Sequence, residues 1–220
     1  MTHYFSDWER DELKRRQAMG ETSLYHEESE HASCGVGLVV NVNGKRSRKV
    51  VESGINALKA IWHRGAVDAD GKTGDGAGIH VQIPVEFFKD QIRRTGHEPH
   101  EGLRIAVGQI FLPRDNFTAQ EICRTIVETE VLRMGYYIYG WRHVPVNIEV
   151  LGEKANATRP EIEQILISNV KGVDEDTFER ELYVIRRRIE KAAIAAQING
   201  LYLASLSCRG VIYKGMMLAE

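Results

Sequence analysis

A cysteine at the mouth of an apolar, glycine-spaced run constrains this chain more than any other feature: His31-Ala32-Ser33-Cys34-Gly35-Val36-Gly37-Leu38-Val39-Val40. Residues 35–42 have the apolar, β-branched character of a strand, and Asn41-Val42-Asn43-Gly44 is a hairpin turn signal. An early hairpin demands antiparallel pairing, which argues against a purely parallel, doubly wound sheet. Gly35 lets backbone or ligand approach the thiol closely, as a nucleophile requires. A lone cysteine is ordinarily a small core residue, so its company must decide.

The rest of the composition narrows the class. The chain has 220 residues, 43% apolar and 27% charged, enough for one substantial core and ordinary for a soluble globular protein. A net charge of -2 with dispersed basic residues points to neither nucleic acid nor an anionic membrane. The three cysteines, Cys34, Cys123 and Cys208, are too scattered for a disulfide framework or a zinc site. No apolar run approaches the roughly 20 residues of a membrane helix. Residues 1–31 lack the apolar segment of a secretory signal, so the expected location is cytoplasmic.

Strands and helices alternate through the remainder. Residues 1–33 read as a polar arm, helical over Asp7–Arg16. A strand or loop over Ser47–Val50 precedes a helix over Val51–Trp62, with Ile55, Leu58, Ile61 and Trp62 at helical spacing. A glycine-rich acidic loop, Asp68–Gly78, leads to a strand over Ile79–Pro84 and a short helix over Phe87–Arg94. Leu103–Leu112 is a buried strand ended by Pro113, and Thr118–Met134 an amphipathic helix with Ile122, Ile126, Val127, Val131 and Leu132 inward and Cys123 on or beside that face. Tyr136–Trp141 and Val144–Leu151 read as strands, or as one strand with a kink at Pro145, and Thr158-Arg159-Pro160-Glu161 opens a helix or buried segment to Ile167. Asp174 or Asp176 caps a long helix to about Gln197 with the stripe Phe178, Leu182, Ile185, Ile189, Ala192 and Ala196. Its Arg186-Arg187-Arg188 run spans about 200° and cannot form one binding face. Two strands, Leu201–Ser207 and Gly210–Met217, flank Cys208 at a turn.

Phosphate binding fails on spacing. Gly71-Lys72-Thr73 needs a glycine at position 66 to make a Walker loop, but Ala66 stands there, and Asp68, Asp70 and Asp75 repel phosphate. Metal binding fails likewise, because His97 and His100 have no companions at ligand spacing. A Cys–His pair remains open through His63 or His80, neither with an evident orienting Asn or Asp. A thiol can also be activated by its own α-amino group. If the chain is cut between Ser33 and Cys34, that amine, with a reference pKa of about 7.7–8.0, accepts the thiol proton. The leader would then block the amine until removed.

Three clusters together carry a family resemblance: Ser33-Cys34-Gly35-Val36-Gly37; His63-Arg64-Gly65-Ala66 with Asp68 and Asp70; and Thr73-Gly74-Asp75-Gly76-Ala77-Gly78-Ile79. With Tyr139-Gly140-Trp141-Arg142, Thr158–Glu161, Tyr183–Arg187, Ser205–Cys208 and Tyr213-Lys214-Gly215, they resemble the N-terminal part of the large subunits of bacterial NADPH-dependent glutamate synthases. The resemblance covers essentially the whole chain. It implies an α+β fold of the N-terminal-nucleophile hydrolase type, an αββα sandwich, with residues 1–33 a propeptide or N-terminal arm and residues 34–220 the first portion of a class II glutamine amidotransferase domain. It implies Cys34 as the nucleophile that attacks the glutamine side-chain amide to give a glutamyl thioester and ammonia. Arg64 would help shape the glutamine pocket, and Asp75 would lie near it. No metal or cofactor is expected in this segment; FMN, an iron–sulfur cluster, FAD and NADPH are implied for the complete enzyme. The implied partners are glutamine, the remainder of the large subunit and the small subunit.

One departure bears on the isolated chain. The family's carboxylate-gripping arginine sits in a motif like His-Ser-Arg-Phe-Ser-Thr-Asn, its oxyanion hole in one like His-Asn-Gly-Glu, and this sequence has neither. Loss of one oxyanion donor costs roughly 10²–10³ in rate. The expectation is an incomplete sandwich, a chain cut short and inactive alone. The alternative is a non-catalytic remnant or interaction module that keeps only the scaffold.

Overall fold

In the computed structural model, the described residues are 7–22, 35–61, 66–216 and 218. The chain divides at Val36/Gly37. Of the first unit, α1 spans Asp7–Thr22, longer than the sequence suggests. Charge pairs one turn apart support it: Glu12 accepts from Arg15 at 2.9 Å and Arg16 at 3.1 Å, and these two cations hold its carboxyl below the usual range.

The second unit is built on antiparallel sheets. Its elements are α2 (Arg48–Ala60), β1 (Ala77–Gln82), α3 (Val85–Arg94), β2 (Ile105–Leu112), α4 (Phe117–Arg133), β3 (Tyr137–His143), α5 (Glu153–Ala157), β4 (Glu161–Ser168), α6 (Glu175–Ala195), β5 (Tyr202–Ser207) and β6 (Gly210–Gly215). Four strands form one sheet in the order β3-β4-β2-β5, and β1 pairs with β6 in a second. All pairings within the two sheets are antiparallel, as Ile105↔Ser168 and Val81↔Val211 show. Among the described residues, no helix is long and apolar enough to cross a membrane.

Alternation along the central strands divides the core in two. Ala106, Ile110 and Leu112 of β2 and Ile165 and Ile167 of β4 face α4 and α6, meeting Cys123, Val127, Val131, Phe178, Leu182, Ile185 and Ile189. Val107 and Leu166 point the other way and meet Tyr139 of β3, Phe88 and Ile92 of α3, Ile83 and Val211 of β6. Covered on both faces and paired on both edges, β2 reads as an apolar run broken at Gln109 instead of an alternating one. The second sheet lies on this inner side, with Val81 and Tyr213 against the same cluster.

Helix starts follow their caps. Asn116 Oδ1 accepts from Ala119 N at 2.9 Å for α4, and Asp174, not Asp176, accepts from Thr177 N at 2.9 Å for α6. Ser47 accepts from Val50 N at 3.3 Å, so residues 48–50 are the first turn of α2 and not a strand.

Three expectations need correction, and one open alternative is resolved. Residues 35–41 form no strand; Leu38 is 86% and Val42 97% exposed. The turn after them does form, with Gly44 N donating to Asn41 O at 2.9 Å, but it joins no hairpin. Residues 144–147 have no regular structure and Ile148–Val150 is a 3₁₀ turn, because Asn147 Oδ1 accepts from Glu149 N at 3.1 Å and bends the chain where β-branched residues suggested a strand. Of the two alternatives for Thr158–Ile167, the buried segment is the one that forms, as strand β4 from Glu161. Finally, α4 buries Ala119, Cys123, Val127 and Val131, leaving Ile122 and Leu132 outside that stripe and exposed; in α6, Ala193 is buried while Ala196 is exposed.

Candidate functional site

The described part of the candidate site is the loop from Ala66 to Gly76, which follows Arg64 and carries Asp75. It folds back on itself through an isolated antiparallel bridge between Val67 and Gly74. Asp68 N donates to Thr73 O at 2.8 Å, Gly71 N to Asp68 O at 2.9 Å, and Asp75 N to Ala66 O at 3.3 Å. Gly71, with φ of 70°, makes the tight turn that an L side chain would resist.

Asp70 is the hub. Its carboxylate accepts from Lys72 N at 3.0 Å, Thr73 N at 2.7 Å and the Thr73 hydroxyl. These donors, the Thr73 hydroxyl first, hold its carboxyl well below the usual carboxylate range. The arrangement is therefore at full strength at neutral pH and weakens only as acid protonates Asp70. Thr73 is buried, and its Oγ1 accepts from Ala155 N at 3.3 Å. Lys154 Nζ lies 2.8 Å from both Asp68 oxygens, which lowers the Asp68 pKa and raises its own. Asp75 itself is exposed at the end of the loop.

A second polar constellation lies in the interior. Arg142 of β3 donates to Gln91 Oε1 of α3 at 3.0 Å and to Gln164 Oε1 of β4 at 2.9 Å, with its guanidinium 5.2 Å from the Phe87 ring centroid. Gln164 Nε2 in turn reaches Gln109 Oε1 at 2.7 Å and Tyr213 OH at 3.2 Å. Burial is the main cause lowering the Arg142 pKa. This network ties both sheets and α3 together.

Of the residues the sequence singled out, Cys34, Arg64 and His63 lie outside the described residues. Cys123 and Cys208 are free and buried. Burial and the Glu179 carboxylate, 3.1 Å from its sulfur, push the Cys208 thiol up to about 12, so it is an inert structural thiol. His80 is exposed on β1. His97 and His100 pack against Tyr137 and Tyr139, with ring nitrogens on Thr95 and Ser168 hydroxyls at 3.1 and 3.0 Å. Among the described residues, no three His, Cys, Asp or Glu side chains converge as a metal site. Of the Arg run, Arg186 and Arg187 pair with Glu190, a solvated surface. Sequence reading missed the Asp70–Thr73–α5 contacts, which link distant segments without a local motif. The interior network did leave a signal: Gln109 interrupts the apolar run of β2, directly opposite Gln164 of β4.

Comparison with known proteins places the class. The family model for class II glutamine amidotransferases matches residues 34–220, and the chain belongs to that family. It is 61% identical over 203 residues to the glutamate synthase [NADPH] large chain of Azospirillum brasilense, covering 92% of this chain and 13% of that protein. It is 35% identical over 202 residues to the corresponding Bacillus subtilis large chain, covering 90% of this chain and 13% of that protein. The ferredoxin-dependent glutamate synthase of Spinacia oleracea is 37% identical over 193 residues, covering 87% of this chain and 12% of that protein. The chain thus spans about an eighth of the length of the curated relatives it matches.

Proposed function

We propose that this chain is the nucleophile-bearing, glutaminase part of a glutamate synthase large subunit of the NADPH type. The observation that carries it is the family match that starts at Cys34, joined to 61% identity with an NADPH-type large chain. Removal of residues 1–33 would give Cys34 a free α-amino group. That amine takes the thiol proton, and the thiolate attacks the side-chain amide carbon of glutamine. The C–N bond breaks, the nitrogen leaves as ammonia with the proton returned, and a γ-glutamyl thioester remains. Water hydrolyses the thioester to glutamate and regenerates Cys34. Ammonia then serves the reductive synthesis of glutamate from 2-oxoglutarate elsewhere in the complete enzyme. In this reading Arg64 shapes the glutamine pocket and Asp75 borders it.

The layer order supports the N-terminal-nucleophile sandwich: the α4/α6 layer, the four-stranded sheet, then β1 and β6 on its inner side. The flavin, iron–sulfur and nicotinamide chemistry belongs to the reductive half of the reaction. No described donor set here fits an iron–sulfur cluster, so no step is assigned to one. The remainder of the large subunit and the small subunit are the partners this reading requires.

The test is the intact mass and glutamine turnover of the full-length natural polypeptide. The expected N-terminal residue is Cys34, and Cys34→Ser should lose more than about 10³-fold of glutamine hydrolysis. Turnover by a chain that still begins at Met1 or Thr2, or full turnover by Cys34→Ser, would overturn the mechanism.

A further inference from the structure

We propose that Asp70, Thr73 and Gly152 are positioning residues that hold the loop 66–76, and with it the Asp75 side of the glutamine pocket, on the rigid core. The inference rests on the reading of Cys34, Arg64 and Asp75 given above. Its substance is an unusual helix start. The N-cap of α5 is Gly152, which has no side chain to satisfy the free N–H groups of the first turn. The missing cap oxygen comes from Thr73, 82 residues before the N–H of Ala155 that it accepts. Thr73 is fixed by Asp70, whose carboxylate takes three hydrogen bonds from residues 72 and 73.

The fit allows nothing larger at residue 152. A Cβ there would lie 2.2 Å from Thr73 Oγ1, 2.3 Å from Asp70 Oδ2 and 2.5 Å from Thr73 N. From the other side, Arg114 Nη1 bonds Asn156 O at 2.6 Å, fastening the end of α5 to the segment after β2. From α5 the chain enters β4, second from the edge of the four-stranded sheet. Chain connection to β4 and the Arg114 bond thus anchor α5, and hydrogen bonds from Ala155 through Thr73 to Asp70 carry that anchorage into the loop that ends at Asp75.

The contacts lie apart from the apolar core. None of Asp70, Thr73 or Gly152 belongs to either apolar cluster. The Asp68–Lys154 pair beside them is solvent-exposed, where such pairs contribute little to stability. What the lock does fix is a loop whose displacement by an ångström would matter to a substrate held beside it.

Three variants of the full-length natural polypeptide test this: Gly152→Ala, Thr73→Val and Thr73→Ser. The first two should raise the glutamine KM about 10- to 100-fold and leave kcat within about threefold, at temperatures well below a somewhat lowered melting point. Thr73→Ser keeps the hydroxyl and should restore a KM near that of the parent. Amide hydrogen exchange over residues 66–76 should quicken by about 10-fold in Gly152→Ala. An unchanged KM in Gly152→Ala and Thr73→Val overturns the positioning role, as does a fall in melting temperature alone. Unaltered exchange over 66–76 overturns the lock itself, whatever the substrate. Failure of the parent to hydrolyse glutamine, or full activity in Cys34→Ser, instead overturns the underlying functional reading, and the positioning role with it.

Discussion

Residues 37–42 and strand β2 are both apolar runs of strand-forming residues with glycine inside them, yet only one is a strand. In β2, Ile110 and Leu112 are fully buried, with β4 on one edge and β5 on the other. In the earlier run Leu38 is 86% and Val42 97% exposed, and none of its residues joins a ladder. The composition of the two is close; the difference is cover. Strand propensity is the fit of a side chain to a pleated, half-buried surface, so it is realised only where neighbours supply that surface. In β2 they do so twice, through α4 and α6 on one face and through α3 and β6 on the other.

If cover is what separates the two regions, removing it from the large sheet should have the largest effect. Phe178 is fully buried on α6, with its ring centroid 4.8 Å from that of Tyr136. Phe178→Ala should lower unfolding stability by about 3–5 kcal/mol, read from the denaturant midpoint at unchanged slope. A cost under about 1 kcal/mol would mean this face is loosely packed and the contrast with residues 37–42 overstated.

A smaller cost is expected on the inner face, where polar groups share the cover. Gln164→Leu would leave the Gln109 carbonyl and one Arg142 donor without partners, costing about 1–3 kcal/mol. Adding Gln109→Leu should recover part of that loss, because removal of both partners leaves fewer unpaired groups in the pair. A double-mutant cycle measures the recovery, and strict additivity would show that the two side chains do not interact.

These contrasts explain what could be read in the sequence. The β2 run, the α6 stripe from Phe178 to Ile189 and the Asp174 cap are local patterns, and each forms nearly as read. The strand expected over residues 35–42 depended on partners that no local pattern specifies. Val144–Leu151 misled because its β-branched residues outweighed the turn chemistry of Asn147. Helix α5 escaped notice because it is short and takes its cap from Thr73, so its own start carries no cap signal. At the site, the glycines around Asp75 announced a tight loop, and one forms. The clamp that orders it joins Asp70 and Thr73 to Gly152, a long-range fit invisible to motif spacing. Cys34, named from its motif chemistry, and Arg64, named from the family resemblance, lie outside the described residues.

The smallest expected effect sharpens the comparison most, because it tests the exposed region directly. Val42→Ser removes an apolar side chain that touches little, so stability should change by no more than about 0.5 kcal/mol. Leu38→Ser should behave the same way, and the two should add, since neither residue is buried. The reverse outcome is equally informative. If either substitution costs what a buried aliphatic costs, about 2 kcal/mol or more, then the run is covered in solution and its strand propensity is being used. The two regions would then differ in which partner covers them, and not in whether they are covered.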